Sequence, residues 1–311
     1  MSELSVVIVS YNSRADLERS LPTVVGGGRE VIVVDNASSD GTRDLVRERF
    51  QEVRLIELPE NVGYGAACNE GLRVSRAPLI LLLNPDAWPL EDGIDDLVAC
   101  ASRQPTLGAV GPQLHDSHRR PQPTLIGLPS SWWTGRPAIT SAPSSIGVRT
   151  MRPHFGKRFL VGAALMLRRE AVEQVGLFDA SFFMFYEEVD LCLRLQQAGW
   201  GVGICPEAKF VHVGGASTRN DWPRMYREQL RGHLRFLAKH HGVATAERAR
   251  RYLVWTVRGR ALAARGETRR VYLEAARWLG SRPAVLLLGD PARTSSDRTV
   301  APEERSSEGE R

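Results

Sequence analysis

Three features of the chain predict an α/β fold, a mostly parallel sheet with flanking helices. Short apolar, β-branched runs alternate with helical patterns through the first half, as βαβ units do. Leu79-Ile80-Leu81-Leu82-Leu83 is an unbroken aliphatic run, which fits a central strand covered on both faces rather than a half-wet edge. Polar and acidic residues gather just past the ends of these runs, and open α/β sheets bind their ligands beyond the carboxyl ends of the strands.

The expected strands are Val6 to Ser10, Val31 to Val34, Val53 to Leu58 and Leu79 to Leu83. Between the first two, Leu17 and Leu21 lie four residues apart on a helix from Arg14 to Leu21. Asp40-Gly41-Thr42 reads as a turn capping the helix Arg43 to Phe50, and Asn69 to Ser75 and Asp92 to Arg103 supply two more helices. From Asp116 to Lys157 the pattern dissolves into Pro, Ser, Gly and Arg around Trp132-Trp133, and structureless loops of that length are uncommon in compact domains. A second core stretch, Phe159 to Leu167, precedes a helix from Arg169 to Val175. The aromatic run Phe182 to Tyr186 leads into a helix from Glu187 to Ala198, stopped by Gly199. Trp200 to Cys205 and Lys209 to Val213 read as the last strands. Beyond Asn220 the chain is helical and basic, with Tyr226, Leu230, Leu234 and Leu237 in one stripe. The expected organisation is a catalytic domain at 1–218, a basic helical region at 219–289 and a disordered polar tail at 290–311.

A chain of 311 residues, 42% hydrophobic, can bury a full core. The longest apolar runs fall well short of the roughly 18 residues that a membrane span needs, and Met1 to Val9 lacks the pattern of a secretory signal. Cys68, Cys100, Cys192 and Cys205 form no Cys-x-x-Cys pair, so reduced, buried thiols are expected rather than a zinc site or a disulfide scaffold. The net charge of +5 conceals an asymmetry: residues 219–282 hold sixteen Arg and Lys against five Asp and Glu, while 1–218 hold 21 against 25. A slightly acidic body therefore carries a strongly basic arm, whose natural partner is an anionic surface. Two readings of that arm stay open: solvated helices packed over the body, or an amphipathic attachment to anionic lipid. Basic helices also suit nucleic acid, but no reading motif accompanies them, and no nucleic-acid partner is expected.

Several groups at strand ends could carry chemistry. Tyr11 and Asn12 follow the first strand, and Asp35, Asn36 and Asp40 follow the second. Asn61-Val62-Gly63-Tyr64-Gly65 with Cys68 and Asn69 nearly matches the dinucleotide fingerprint, and Asp86 lies 23 residues past Gly63, near the position of its ribose-binding acid. Against that, the segment follows the third strand rather than the first, and the third glycine is missing. Glu187, Glu188 and Asp190 open a helix, which plain dipole complementarity explains in part. The apolar run-up instead predicts a partly desolvated acid with a raised pKa, a usable base. His212, followed by Gly214 and Gly215, is a plausible metal ligand together with Asp86, and oxygen plus imidazole suits Mn²⁺ better than Mg²⁺.

Taken in order, Ser5 to Asn12, Val34 to Thr42, Asn61-Val62-Gly63, Asn84-Pro85-Asp86 and Tyr186 to Leu191 resemble the inverting family 2 glycosyltransferases of GT-A fold, and within them the bacterial rhamnosyltransferase branch. The resemblance spans roughly Leu4 to Ser217. It implies that Tyr11 stacks on the nucleotide base and Asp35 hydrogen-bonds its edge, with Asn12, Asn36, Asn61, Gly63, Asn69 and Asn84 around the nucleotide sugar. It implies that Asp86 and His212 hold a divalent metal, Mn²⁺ or Mg²⁺, at the family's D-x-D site, where Asn84 replaces the first Asp. The catalytic Asp of the family's Glu-Asp motif falls on Glu188, which leaves Glu187 and Asp190 as alternative bases. The Gln-x-x-Arg-Trp motif of processive members is absent, implying transfer of a single sugar. Trp132, Trp133 and Phe183 are candidates for the acceptor. By the resemblance, the donor is dTDP-L-rhamnose and the acceptor a polyprenyl-diphosphate-linked glycan, met by a peripheral enzyme on the inner face of the cytoplasmic membrane. The rival expectations are a galactofuranosyl or hexosyl transferase, a dinucleotide oxidoreductase, and a sugar-nucleotide binding protein without turnover.

Overall fold

The computed structural model describes residues 2–127, 158–214 and 221–284. Its centre is an eight-stranded sheet, built from β1 (Leu4–Ser10), β2 (Glu30–Asp35), β3 (Arg54–Glu57), β4 (Leu79–Leu83), β5 (Ala87–Pro89), β6 (Leu107–His115), β9 (Ala164–Arg168) and β10 (Gly201–His212) in the order β3-β2-β1-β4-β9-β6-β10-β5. The run β3-β2-β1-β4 is parallel throughout, β9 is antiparallel to both neighbours, and β5 pairs antiparallel with β10 at the edge. The chain leaves β1 for β2 on one side and reaches β4 on the other. The crevice where strand order reverses therefore opens beyond the carboxyl ends of β1 and β4.

Alternation along the strands assigns their two faces. Ile80 and Leu82 of β4, with Val7, Val9, Ile32 and Val34, enter one core; Leu79, Leu81 and Leu83, with Val6, Ile8, Val31 and Val33, enter the other. The second core is covered by α1 (Arg14–Val24), α2 (Thr42–Arg49) and α4 (Gly93–Arg103). The first is covered by α3 (Tyr64–Val74), α5 (Arg169–Val175), α6 (Glu187–Gln197) and α7 (Trp222–His241). Behind α7 pack α8 (Val243–Ala263) and α9 (Gly266–Ser281).

Several elements depart from expectation. The long β6 is interrupted in sequence by Gly108, Gly111 and Pro112, which hide its apolar pattern. The two strands expected at Trp200 to Cys205 and Lys209 to Val213 are one strand, β10, bulged between Cys205 and Lys209, where Pro206 and the facing Pro112 have no N–H to donate to the ladder. Helix α3 begins at Tyr64, five residues before the expected Asn69. The expected loop at 116–157 contributes β7 (Leu125–Gly127), which pairs with β8 (Arg158–Leu160). Tyr226, Leu230, Leu234 and Leu237 of α7 are buried in the same cluster as β4 and α6, so the first basic helix packs into the core. The tail expected at 290–311 lies outside the described residues.

Candidate active site

Beyond the carboxyl ends of β1, β2 and β4 lies a cavity of about 470 Å³. Tyr11 and Asn12 enter it from β1, Asn36 from β2, Asn61 and Gly63 from the turn before α3, and Asn84 and Asp86 from β4. The lining is continued by Phe183, Glu187 and Glu188, with Asp221, Arg224 and Met225 from the start of α7.

The residues expected around the nucleotide sugar divide by what their side chains do. Tyr11 is 39% exposed, a ring standing at the mouth. Asn12 holds the neighbouring loop: its N–H donates to Ser38 Oγ at 2.9 Å and its Oδ1 accepts from the Ser39 N–H at 2.8 Å. Asn36 donates to Asn61 Oδ1 at 3.0 Å and accepts from the Val62 N–H at 3.0 Å, locking two strand ends together. Asp35 is fully buried; its Oδ2 takes the Arg43 Nε–H at 2.5 Å and the Ser38 N–H at 3.1 Å, while its Oδ1 has no hydrogen-bond partner among the described residues. Asn69 does not join the cavity. Its amide exchanges two hydrogen bonds with the backbone of Phe178, at 2.9 and 3.0 Å, and so ties α3 to the segment leading into the acidic helix.

The pairing of β5 with β10 sets His212 opposite Ala87, and this brings Asp86 and His212 together. Asp86 Oδ1 lies 3.6 Å from His212 Nε2, and its Oδ2 accepts from the Gly214 N–H at 3.0 Å. Burial lowers the pKa of His212 against the opposing pull of Asp86, leaving a neutral imidazole, the form that ligates metal. A carboxylate oxygen and an imidazole nitrogen this close can share one divalent ion, with its remaining positions left to ligand oxygens. Among the described residues no group of three or more His, Cys, Asp and Glu side chains forms a metal cage.

The acidic wall is held under backbone constraint. Phe185 and Tyr186, just before α6, both take left-handed conformations, with φ of 69° and 73°. Two successive non-glycine residues there are costly unless packing enforces them. The packing is visible on both sides: the Tyr64 N–H donates to Phe183 O at 2.8 Å, and Gly63 lies so close that an added Cβ would sit 2.3 Å from that oxygen. From the other side Gly232 of α7 approaches Phe185 O so that a Cβ would come within 2.7 Å, and His233 Nδ1 lies 2.9 Å from the Tyr186 hydroxyl. The near-fingerprint glycine Gly63 thus serves a close backbone approach.

Glu187 and Glu188 both line the cavity, and each has a buried Oε2 without a hydrogen-bond partner among the described residues. Burial pushes the pKa of Glu188 up to about 7; burial, then the Glu188 charge, pushes Glu187 well above the usual carboxylate range. Asp190 faces elsewhere. It is fully buried and accepts from Arg194 Nε at 2.8 Å, Lys239 Nζ at 2.8 Å and His240 Nε2 at 2.7 Å, joining α6 to the end of α7. Of the three candidate bases, the structure brings two to the cavity. Arg224 was not anticipated from sequence; its guanidinium lies 4.7 Å from the Phe183 ring centroid. Trp132 and Trp133 lie outside the described residues.

The model of the family described as "Glycosyl transferase family 2" matches residues 5–176, and that of "Glycosyl transferase family group 2" matches 143–278. An N-acetylglucosaminyl-diphospho-decaprenol L-rhamnosyltransferase of Mycobacterium tuberculosis is 33% identical over 82% of this chain and 89% of its own. A dTDP-rhamnosyl transferase of Shigella flexneri is 25% identical over 69% of this chain and 70% of its own. Among solved structures, the mannosyltransferase PcManGT of Pyrobaculum calidifontis, in complex with GDP-Man and Mn²⁺, superposes with a TM-score of 0.52 at 19% identity over 95% of this chain and 83% of its own, which shows the fold.

Proposed function

Because the chain belongs to glycosyl transferase family 2, we propose that it moves one L-rhamnosyl unit from dTDP-L-rhamnose to a polyprenyl-diphosphate-linked glycan, with inversion at the anomeric carbon. The observation that carries the chemistry is that Asp86 and Glu188, about a hundred residues apart, line one cavity. The donor and acceptor classes are those in the names of the rhamnosyltransferase relatives.

In this reading the exposed ring of Tyr11 stacks on the base, while Asp35, fully buried and outside the cavity lining, positions the Ser38 loop beneath it. Asn84 hydrogen-bonds the ribose. Asp86 and His212 would hold a divalent cation, Mn²⁺ better than Mg²⁺ for the imidazole nitrogen, which would supply Lewis-acid neutralisation of the diphosphate. Arg224, which also lines the cavity, adds a second positive charge for the anionic group. Glu188 takes the proton of the attacking acceptor hydroxyl onto its free Oε2. A base with a pKa near 7 combines availability with proton affinity at neutral pH, and such a group contributes about 10² to 10⁴ in rate. Phe183 offers an apolar face to the acceptor sugar. The enzyme works at the inner face of the cytoplasmic membrane, where a polyprenyl-anchored acceptor presents its glycan.

The test is nucleoside diphosphate release with Mn²⁺ or Mg²⁺ across a panel of nucleotide sugars, with and without polyprenyl-diphosphate-linked N-acetylglucosamine. Acceptor-stimulated release from dTDP-L-rhamnose, with the rhamnosylated lipid seen by mass spectrometry, is the expected result. Release from a hexosyl or galactofuranosyl donor instead overturns the donor assignment, and NADH binding without any release overturns the chemistry.

A further inference from the structure

Helix α8 is apolar on two sides. Ala246, Ala249, Leu253, Val257 and Ala261 are buried in the protein core. On the outer side Tyr252, Trp255 and Leu262 are 47%, 72% and 84% exposed, and their spacing places them on one helical stripe with Arg248, Arg251 and Arg258. The Arg258 guanidinium lies 5.8 Å from the Trp255 ring. The helix carries five arginines against one acid, Glu247, and that acid is already paired with Arg250 and Arg251 at 2.6 and 3.1 Å. Exposed Arg269 and Arg277 of α9 continue the same sign, while Arg270 is paired with Glu274 at 3.7 Å.

Large side chains left in water beside Arg248 and Arg258, neither of which is paired with an acid among the described residues, have the composition of a helix that lies in a membrane interface: an amphipathic aromatic and a leucine for the acyl boundary, cations for the lipid phosphates. We propose that the outer face of α8 docks on an anionic phospholipid bilayer. Charge decides against a second copy of the chain as the occupant, since matching faces would press one arginine stripe against another. The stripe that looks amphipathic in sequence, Tyr226 to Leu237, is enclosed in the core and is not available to lipid. The docking face deepens the reading of a membrane-borne acceptor, yet it needs neither donor nor metal, so its failure and the failure of that reading can be told apart.

The experiment is co-sedimentation of the full chain with vesicles of equimolar phosphatidylglycerol and phosphatidylcholine, and with phosphatidylcholine alone, across a salt series. The wild-type chain is expected to bind the anionic vesicles, and salt to weaken binding. Replacing Arg248, Arg251 and Arg258 by Gln should lower partitioning by about fivefold for each arginine removed. The Tyr252→Ser, Trp255→Ser, Leu262→Ser variant should also bind more weakly. All six side chains are on the surface, so both variants should keep the wild-type unfolding midpoint. Wild-type chain that ignores anionic vesicles, or variants that bind as well as wild type, overturns the proposal. So does a wild-type dimer that the Trp255 variant dissociates, which would make the face a contact between copies.

Discussion

Glu188→Gln separates chemistry from burial in one substitution. The amide keeps the side chain's shape and removes its charge. The wild-type carboxyl has its pKa raised from the ordinary 4.5 to about 7 because folding takes it out of water. Between those two values the folded chain holds a proton that the unfolded chain has released, so wild-type stability falls as pH rises through this window. At about 1.4 kcal/mol per pH unit, the loss reaches roughly 3 kcal/mol once pH passes 7. The amide has no such dependence. The stability difference between variant and wild type should therefore shift in the variant's favour by up to roughly 3 kcal/mol between pH 4.5 and pH 8, several degrees in Tm. Thermal or urea unfolding across that range measures it without any substrate. Turnover should move the opposite way, down by about 10² to 10⁴ with donor binding retained, and wild-type activity should decline as pH drops below about 7. A pH-independent stability difference would show that Glu188 is hydrated. Near-normal turnover would move the base to Glu187, the other acid on that wall.

Asp86→Ala should abolish the gain in nucleotide affinity that Mn²⁺ produces in a calorimetric titration, and activity with it; a variant that turns over normally in the presence of a chelator rejects the metal role. Asp190→Asn should cost about 3–5 kcal/mol in urea unfolding, because Arg194, Lys239 and His240 lose the buried charge they share; a variant of unchanged stability that has lost catalysis would instead make Asp190 a chemical group. Gly63→Ala should cost at least about 2 kcal/mol, combining a left-handed backbone with the clash against Phe183 O, and should lower kcat by displacing the acidic turn; wild-type unfolding and kinetics together would show that this contact is soft.

Strands β1, β2 and β4 were readable because each is an apolar run with both faces buried, so no competing period obscures it, whereas β3 is a short edge strand with Arg54 and Glu57 exposed. Strand β6 was not, since Gly108, Gly111 and Pro112 break its pattern while the pairing with β9 and β10 that stabilises it is remote in sequence. Amphipathic spacing in α7 showed that one face is apolar but not what covers it. At the site, strand-end position pointed to Asp86, and an acidic helix start after an aromatic run pointed to Glu188. That pattern could not separate Asp190 from Glu188, although two residues of helix turn the side chain by about 200°, toward the far side. Asn69 was placed by its motif, whereas its amide bonds the Phe178 backbone. Arg224 belongs to no motif; only the fold brings the start of α7 to the cavity wall.

The contacts of Gly232 and His233 with the Phe185–Tyr186 corner have a practical implication for anyone recombining this enzyme with its relatives. Helices α6 and α7 form a single inheritable cassette: a chimera that takes the acid-bearing segment from one parent and the following helix from another inherits two halves of a mould that were cast separately. Crossovers placed before residue 177 or after 242 keep that mould whole.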